Sequence, residues 1–158
     1  MYKILVPIFL TIFFTSCSSK NSASEYFKNS TINTQIIQFT KKTDIKIDNQ
    51  PKVLIWATYL NGLEKYKDLK NETFLVTTYF TNQESNGIET NGYELFLNDK
   101  KSQALQKLSE DSIYKELFIK NKWASKYLVT FDEIIKEQYE LNLIIKNNTS
   151  KAQLKFEK

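Results

Sequence analysis

Histidine and arginine are both absent from this 158-residue sequence, and cysteine occurs once. Without histidine the chain lacks the side chain that ordinarily titrates near neutrality and the commonest metal ligand. A single cysteine excludes an intrachain disulfide. Only 3 glycines and 2 prolines are present, which excludes collagen-like, glycine-loop and proline-rich designs. All 22 basic residues are lysines, set against 18 acidic ones for a net charge of +4. Lys41-Lys42 and Lys100-Lys101 are the only lysine doublets. Nucleic-acid binders concentrate their charge and use arginine for bidentate contacts, so no nucleic-acid partner is expected. The abundance of lysine, asparagine and isoleucine is the bias of an A/T-rich coding sequence.

What is present fits one folded domain. Charged residues make up 25%, apolar residues 41% and aromatics 14%, enough material for a core. The N-terminus is distinct from the rest. Lys3 is followed by an apolar run over residues 4–14, interrupted only by Pro7 and Thr11, and then by Thr15, Ser16 and Cys17. The run is too short to span a bilayer and has the length and flanks of a secretory signal. Residues 18–24 contain no large apolar side chain and read as a flexible tether.

Phe14-Thr15-Ser16-Cys17 resembles the lipobox of bacterial lipoproteins. The resemblance implies cleavage after residue 16 and acylation of Cys17, with membrane lipid as the partner of that residue. Two or more acyl chains give stable anchoring where one does not. Ser18 stands where an aspartate would mark inner-membrane retention in Gram-negative lipoproteins, which implies the outer membrane. The expected organisation is a signal peptide over 1–16, lipidated cysteine and tether over 17–24, and a single domain over 25–158.

From residue 32 onward the dominant period is 2, broken by polar turns, which predicts strands. Residues 52–60 are apolar on both faces, with Val53, Ile55, Ala57 and Tyr59 on one, and read as a central strand. Further strands are expected over 43–48, 72–81, 92–98 and 125–131, and a hairpin over 139–157 with a turn at 147–150. Tyr127, Val129, Phe131, Leu141, Leu143, Leu154 and Phe156 are the expected core. Residues 32–39 read as strand or short helix. Leu63, Tyr66 and Leu69 suggest a short surface helix, and residues 102–122 read as a helix or as two short pieces. The fold expected is an all-β, Ig-like β-sandwich of about seven short strands with one or two short helices, without the immunoglobulin cysteine pair. A small closed barrel is the alternative. Residues 57–60 (ATYL) and 123–131 (WASKYLVTF) loosely resemble segments of uncharacterised lipoproteins of A/T-rich Gram-negative bacteria.

Catalytic chemistry finds little footing. Ser112 and Lys115 match the S-x-x-K pattern of penicillin-recognising enzymes, but the partner motifs S-D-N and K-T-G are missing. Glu110/Asp111 and Asp132/Glu133 are the carboxylate pairs, read as solvated loop charges. Asp44, Asp48 and Asn49 offer at most a poor calcium site, and Gly62, Gly87 and Gly92 match no phosphate loop. Asn29, Asn71, Asn147 and Asn148 begin N-x-[ST] sequons without the upstream acid of the bacterial form. Trp56 and Trp123 read as core aromatics. No catalytic residue, metal site or cofactor is expected. Ile88, the only large aliphatic in the polar interval 82–91, is expected to stand exposed, either at a hairpin tip with no specific role or as a partner anchor. The functional expectation is a membrane-anchored envelope lipoprotein acting as a non-enzymatic protein-interaction or structural module. A periplasmic carrier of an apolar small molecule is the alternative, and a carboxylate-only hydrolase a remote one.

Overall fold

A computed structural model describes residues 34–81, 85–134 and 138–158. The segment 1–33, including Cys17, lies outside the described residues. A helical turn over residues 34–38 leads into β1 (Thr40–Ile47), followed by β2 (Gln50–Tyr59), β3 (Glu72–Phe80), β4 (Glu94–Leu97), β5 (Lys100–Lys101), β6 (Ala104–Lys107), β7 (Ser125–Phe131), β8 (Glu140–Lys146) and β9 (Lys151–Glu157). They form a five-stranded sheet in the order β1-β2-β3-β7-β6 and a four-stranded sheet in the order β5-β4-β8-β9. All neighbouring strands are antiparallel. The two sheets make a β-sandwich. The barrel alternative is set aside, because each sheet ends in two edge strands rather than closing on itself.

Alternation drives this arrangement. β-Branched and aromatic residues at every second position supply one continuous apolar face per strand. Val53, Ile55, Ala57 and Tyr59 of β2 face inward with Phe74, Val76 and Phe80 of β3, and all are buried. The seven core residues expected on β7, β8 and β9 are all buried as well. The Phe74 ring sits 5.1 Å from Tyr59, 5.2 Å from Phe156 and 5.9 Å from Phe131, binding the two sheets in one aromatic cluster.

Turn chemistry sets the registers. Asp48-Asn49 joins β1 to β2 and Asn98-Asp99 joins β4 to β5, and all four residues have positive φ, between 45° and 67°. This is the backbone that two-residue hairpins need and that Asn and Asp tolerate. In the expected four-residue loop between β8 and β9, the Asn147 Oδ1 accepts from the backbone N–H groups of Thr149 and Ser150.

Four details differ from expectation. Two strands, β5 and β6, join the expected seven. β6 carries Ala-Leu-Gln-Lys, all good helix formers, yet pairing with β7 from Ala104↔Thr130 to Lys107↔Tyr127 overrides that propensity. The rest of 102–122 holds only a 3-10 turn at Lys115–Leu117. The surface helix near Leu63 is likewise one 3-10 turn, Glu64–Tyr66, because the Asn61 amide donates to the carbonyls of Leu69 and Asn71 and holds the loop open. The expected hairpin starts one residue later than read: Tyr139 precedes β8 and is exposed.

The outer face of the larger sheet is partly covered. Leu60, Leu63, Leu75 and Leu117 form a second buried cluster, with Tyr66, Tyr114, Phe118 and Leu128 packed against it. The connection between β6 and β7 therefore lies across β3 and β7 rather than projecting away, covering the outward-facing Leu75 and Leu128.

Candidate functional site

Residues 85–91, the described part of the polar interval 82–91, do not project. β3 and β4 belong to different sheets, so the segment between them is a crossover and not a hairpin tip. Ile88 is 0% exposed within the inter-sheet core, and its backbone N–H donates to the buried Tyr127 hydroxyl at 3.2 Å. The polar residues around it bond to one another: Asn91 Nδ2 donates to the carbonyls of Ser85 and Gly87, and the Ser85 and Thr90 hydroxyls are 2.7 Å apart. Gly92 ends the turn at φ 69°, a conformation glycine adopts without a Cβ penalty. Ile88 is thus a core plug and not an exposed anchor. A lone aliphatic among polar residues is the sequence signal for either role, and only the crossover decides between them.

The opposite face of β7 carries different chemistry. Alternation sends Tyr127, Val129 and Phe131 into the core and Lys126 to the outer face. There the β6–β7 connection covers Lys126 to 4% exposure. Its Nζ lies 5.3 Å from the Phe118 ring and donates to the Glu110 carboxylate, which is itself 74% exposed. A buried ammonium without a counter-charge is costly, so Glu110 is held there by Lys126. Next to it, Asn121 accepts from Trp123 N–H at 3.0 Å through Oδ1 and from Ala124 N–H through its carbonyl. That turn presents the Trp123 ring outward at 64% exposure, with Lys122 Nζ 4.8 Å from its centre. The expectation of a core role for Trp123 is corrected: the residue sits in the turn before β7, outside the alternation that buries its successors.

Two open grooves meet at Glu110, Lys122 and Lys126. One, of about 470 Å³, runs past Lys107, Ser109 and Trp123. The other, of about 800 Å³, runs past Lys115, Phe118 and Lys120. Lys107, Lys115, Lys120 and Lys122 are exposed and, among the described residues, have no ion-pair partner. The lysines that look scattered in sequence are brought together here. The arrangement is a positively charged, aromatic-walled surface fit for holding an anion.

The remaining candidates stay apart. Ser112 Oγ accepts from Tyr114 N–H at 3.3 Å in a turn, and among the described residues Lys115 Nζ does not bond to it. Asp132 accepts from the Gln103 amide, and Asp44 lies 3.8 Å from Lys46. Asp48 and Asn49 are the β1–β2 turn. No group of three or more potential metal ligands occurs among the described residues. Trp56 is half-buried on the outer face of β2, with Lys42 Nζ 5.2 Å from its ring.

A second buried charge serves the frame. Glu72 accepts from the Tyr59 hydroxyl at 2.6 Å and from Lys158 Nζ at 2.6 Å, and Lys158 also donates to the Ile134 carbonyl. Burial first, then the Glu72 carboxylate, hold the Tyr59 hydroxyl far above the ordinary tyrosine range. This cluster ties the larger sheet to the end of β9.

No family model, curated protein or solved structure matches this chain.

Proposed function

We propose that this chain is a lipoprotein of the cell envelope, anchored in the outer membrane through acylated Cys17, and that it acts without catalysis as a protein-interaction module facing the periplasm or the surface. The anchoring half of the reading is supported by the run over 4–14 and by the only cysteine, which follows it after Thr15 and Ser16. The binding half rests on one observation: the space between the sheets is filled by the side chains of a single core cluster, while the grooves lie outside it and are lined largely by charged and polar residues. A carrier of an apolar molecule needs an apolar cavity with a mouth, and Phe74, Phe131 and Phe156 occupy the position where it would lie. Interfaces place exposed aromatics within a polar rim, and the β6–β7 flank offers Trp123 at 64% exposure among charged residues.

The two halves are tested separately. Cys17→Ser abolishes fatty-acid labelling and leaves uncut or membrane-free protein; unchanged palmitate incorporation removes the lipoprotein reading. Capture from cell-envelope extract with wild-type chain and with a Trp123→Ala, Lys122→Glu double variant tests the binding flank. Identical capture profiles move the interaction away from it.

A further inference from the structure

We propose that the paired grooves on the β6–β7 flank dock an acidic segment of a partner protein carrying an apolar side chain, one of whose carboxylates replaces Glu110 on the Lys126 ammonium. The inference rests on the reading of the chain as an interaction module and names the chemistry of its partner.

Charge complementarity carries it first. Five lysines line the two grooves against two glutamates, a local excess of three positive charges in a chain whose whole excess is four. A patch of that kind raises the encounter rate with anionic partners and selects against cationic ones. The second element is the asymmetry of the Lys126–Glu110 pair. The ammonium is 4% exposed and fixed by its strand, whereas the carboxylate is 74% exposed on a loop. Lys126 always requires a counter-charge, but once a partner's carboxylate supplies it, Glu110 can turn into water and be solvated there. Glu110 therefore marks where a partner's carboxylate sits and competes for the position in the free chain. Hydrogen bonds of this kind, with both ends charged, are the stronger ones.

Apolar surface distinguishes a peptide from a simple anion. Trp123 walls one groove at 64% exposure, Phe118 and Ile119 border the other, and Ile113 on the same connection is 76% exposed. Tryptophan is among the residues that most often dominate protein–protein contacts. Phosphate alone would leave these side chains without a role, and an acidic saccharide would leave Phe118 and Ile119 without one.

The test uses the full chain purified in detergent, with three probes: a nine-residue peptide of repeated Glu-Glu-Phe, its Gln-Gln-Phe counterpart, and trigalacturonate. Binding of the acidic peptide is read by tryptophan fluorescence and calorimetry. It should weaken with added salt and exceed that of the glutamine peptide by about tenfold or more, the value of one charged hydrogen bond. Lys122→Glu, at an exposed position, should weaken it without lowering the melting temperature. Glu110→Gln removes the internal competitor and should tighten it. Equal affinity for the acidic and glutamine peptides overturns the proposal, as does weaker binding in a folded Glu110→Gln chain. Trigalacturonate bound in preference to the peptide overturns it in favour of an acidic saccharide. None of these results touches palmitate labelling at Cys17 or the capture profile, so failure here is separable from failure of the broader reading.

Discussion

Ile88→Ala should destabilise the domain as a core truncation does, although the residue lies in the most polar interval of the chain. Ile88 is 0% exposed and packs in the same cluster as Phe80, Tyr93 and Tyr127. The substitution removes three carbons, worth about 0.8 kcal/mol each in lost transfer energy, or about 2.4 kcal/mol. A cavity term adds to this because the sheets on either side cannot close fully, giving about 2–5 kcal/mol. At about 3 kcal/mol the melting temperature of a domain this size falls by about 10 °C. Urea unfolding followed by circular dichroism measures the free energy, and Ile113→Ala is the control: Ile113 is 76% exposed and should change stability by less than about 0.5 kcal/mol. Equal, small effects at both positions would refute the plug and restore a projecting loop. Replacing residues 83–90 by a short turn should unseat Ile88 and lower the melting temperature.

Three further outcomes follow from buried groups. Tyr127→Phe leaves the Ile88 N–H without its acceptor inside the core and should cost about 1–3 kcal/mol in urea unfolding; a neutral result would mean that the N–H finds water. Leu143→Ala, at a 0% exposed site paired with Leu154, should cost about 2–5 kcal/mol, and a near-neutral value would place the wrong face of β8 inward. The third concerns alkaline pH. The Tyr59 hydroxyl keeps its proton in the folded chain well past the ordinary tyrosine range of about pH 10, where the unfolded chain loses it. Unfolding above that point releases a proton, so the contribution is complete below about pH 10 and is lost as pH rises beyond it. Tyr59→Phe should flatten that decline; an unchanged slope would assign it to the lysines.

The strands are readable because their signal is local. Residues 125–131 put Tyr127, Val129 and Phe131 on one face, with Leu128 the one large apolar residue opposite, and the burial of those three together follows from the period of 2. β6 is not readable, since Ala-Leu-Gln-Lys carries the opposite propensity and becomes a strand only by pairing with β7 across the whole intervening connection. Lys126 illustrates the same limit at the site. Its outward direction is legible from Tyr127 and Val129, but its burial is not, because the cover comes from Phe118 and Glu110 on a connection that has almost no regular structure. Trp123 and Ile88 exchange their expected roles for a related reason. The tryptophan lies just before its strand and the isoleucine on a crossover, so neither is governed by alternation.

Two buried charges occur among the described residues, and the contrast between them decides which can take a ligand. Glu72 accepts from two partners: the buried Tyr59 hydroxyl, and the ammonium of Lys158, whose side chain is 21% exposed and also donates to the Ile134 carbonyl. An incoming cation would displace Lys158 and leave the Ile134 carbonyl without that donor, while the buried Tyr59 hydroxyl keeps the other carboxylate oxygen occupied. Lys126 has one anionic partner among the described residues, and that partner stands in water. Exchange there replaces one carboxylate by another and leaves every core group as it was. A buried charge held in part by a buried core group is tied to the frame, whereas one closed by an exposed side chain alone keeps a place open for a substitute. By that criterion the β6–β7 flank, and not the end of the sandwich bearing Glu72, is the surface that suits a partner.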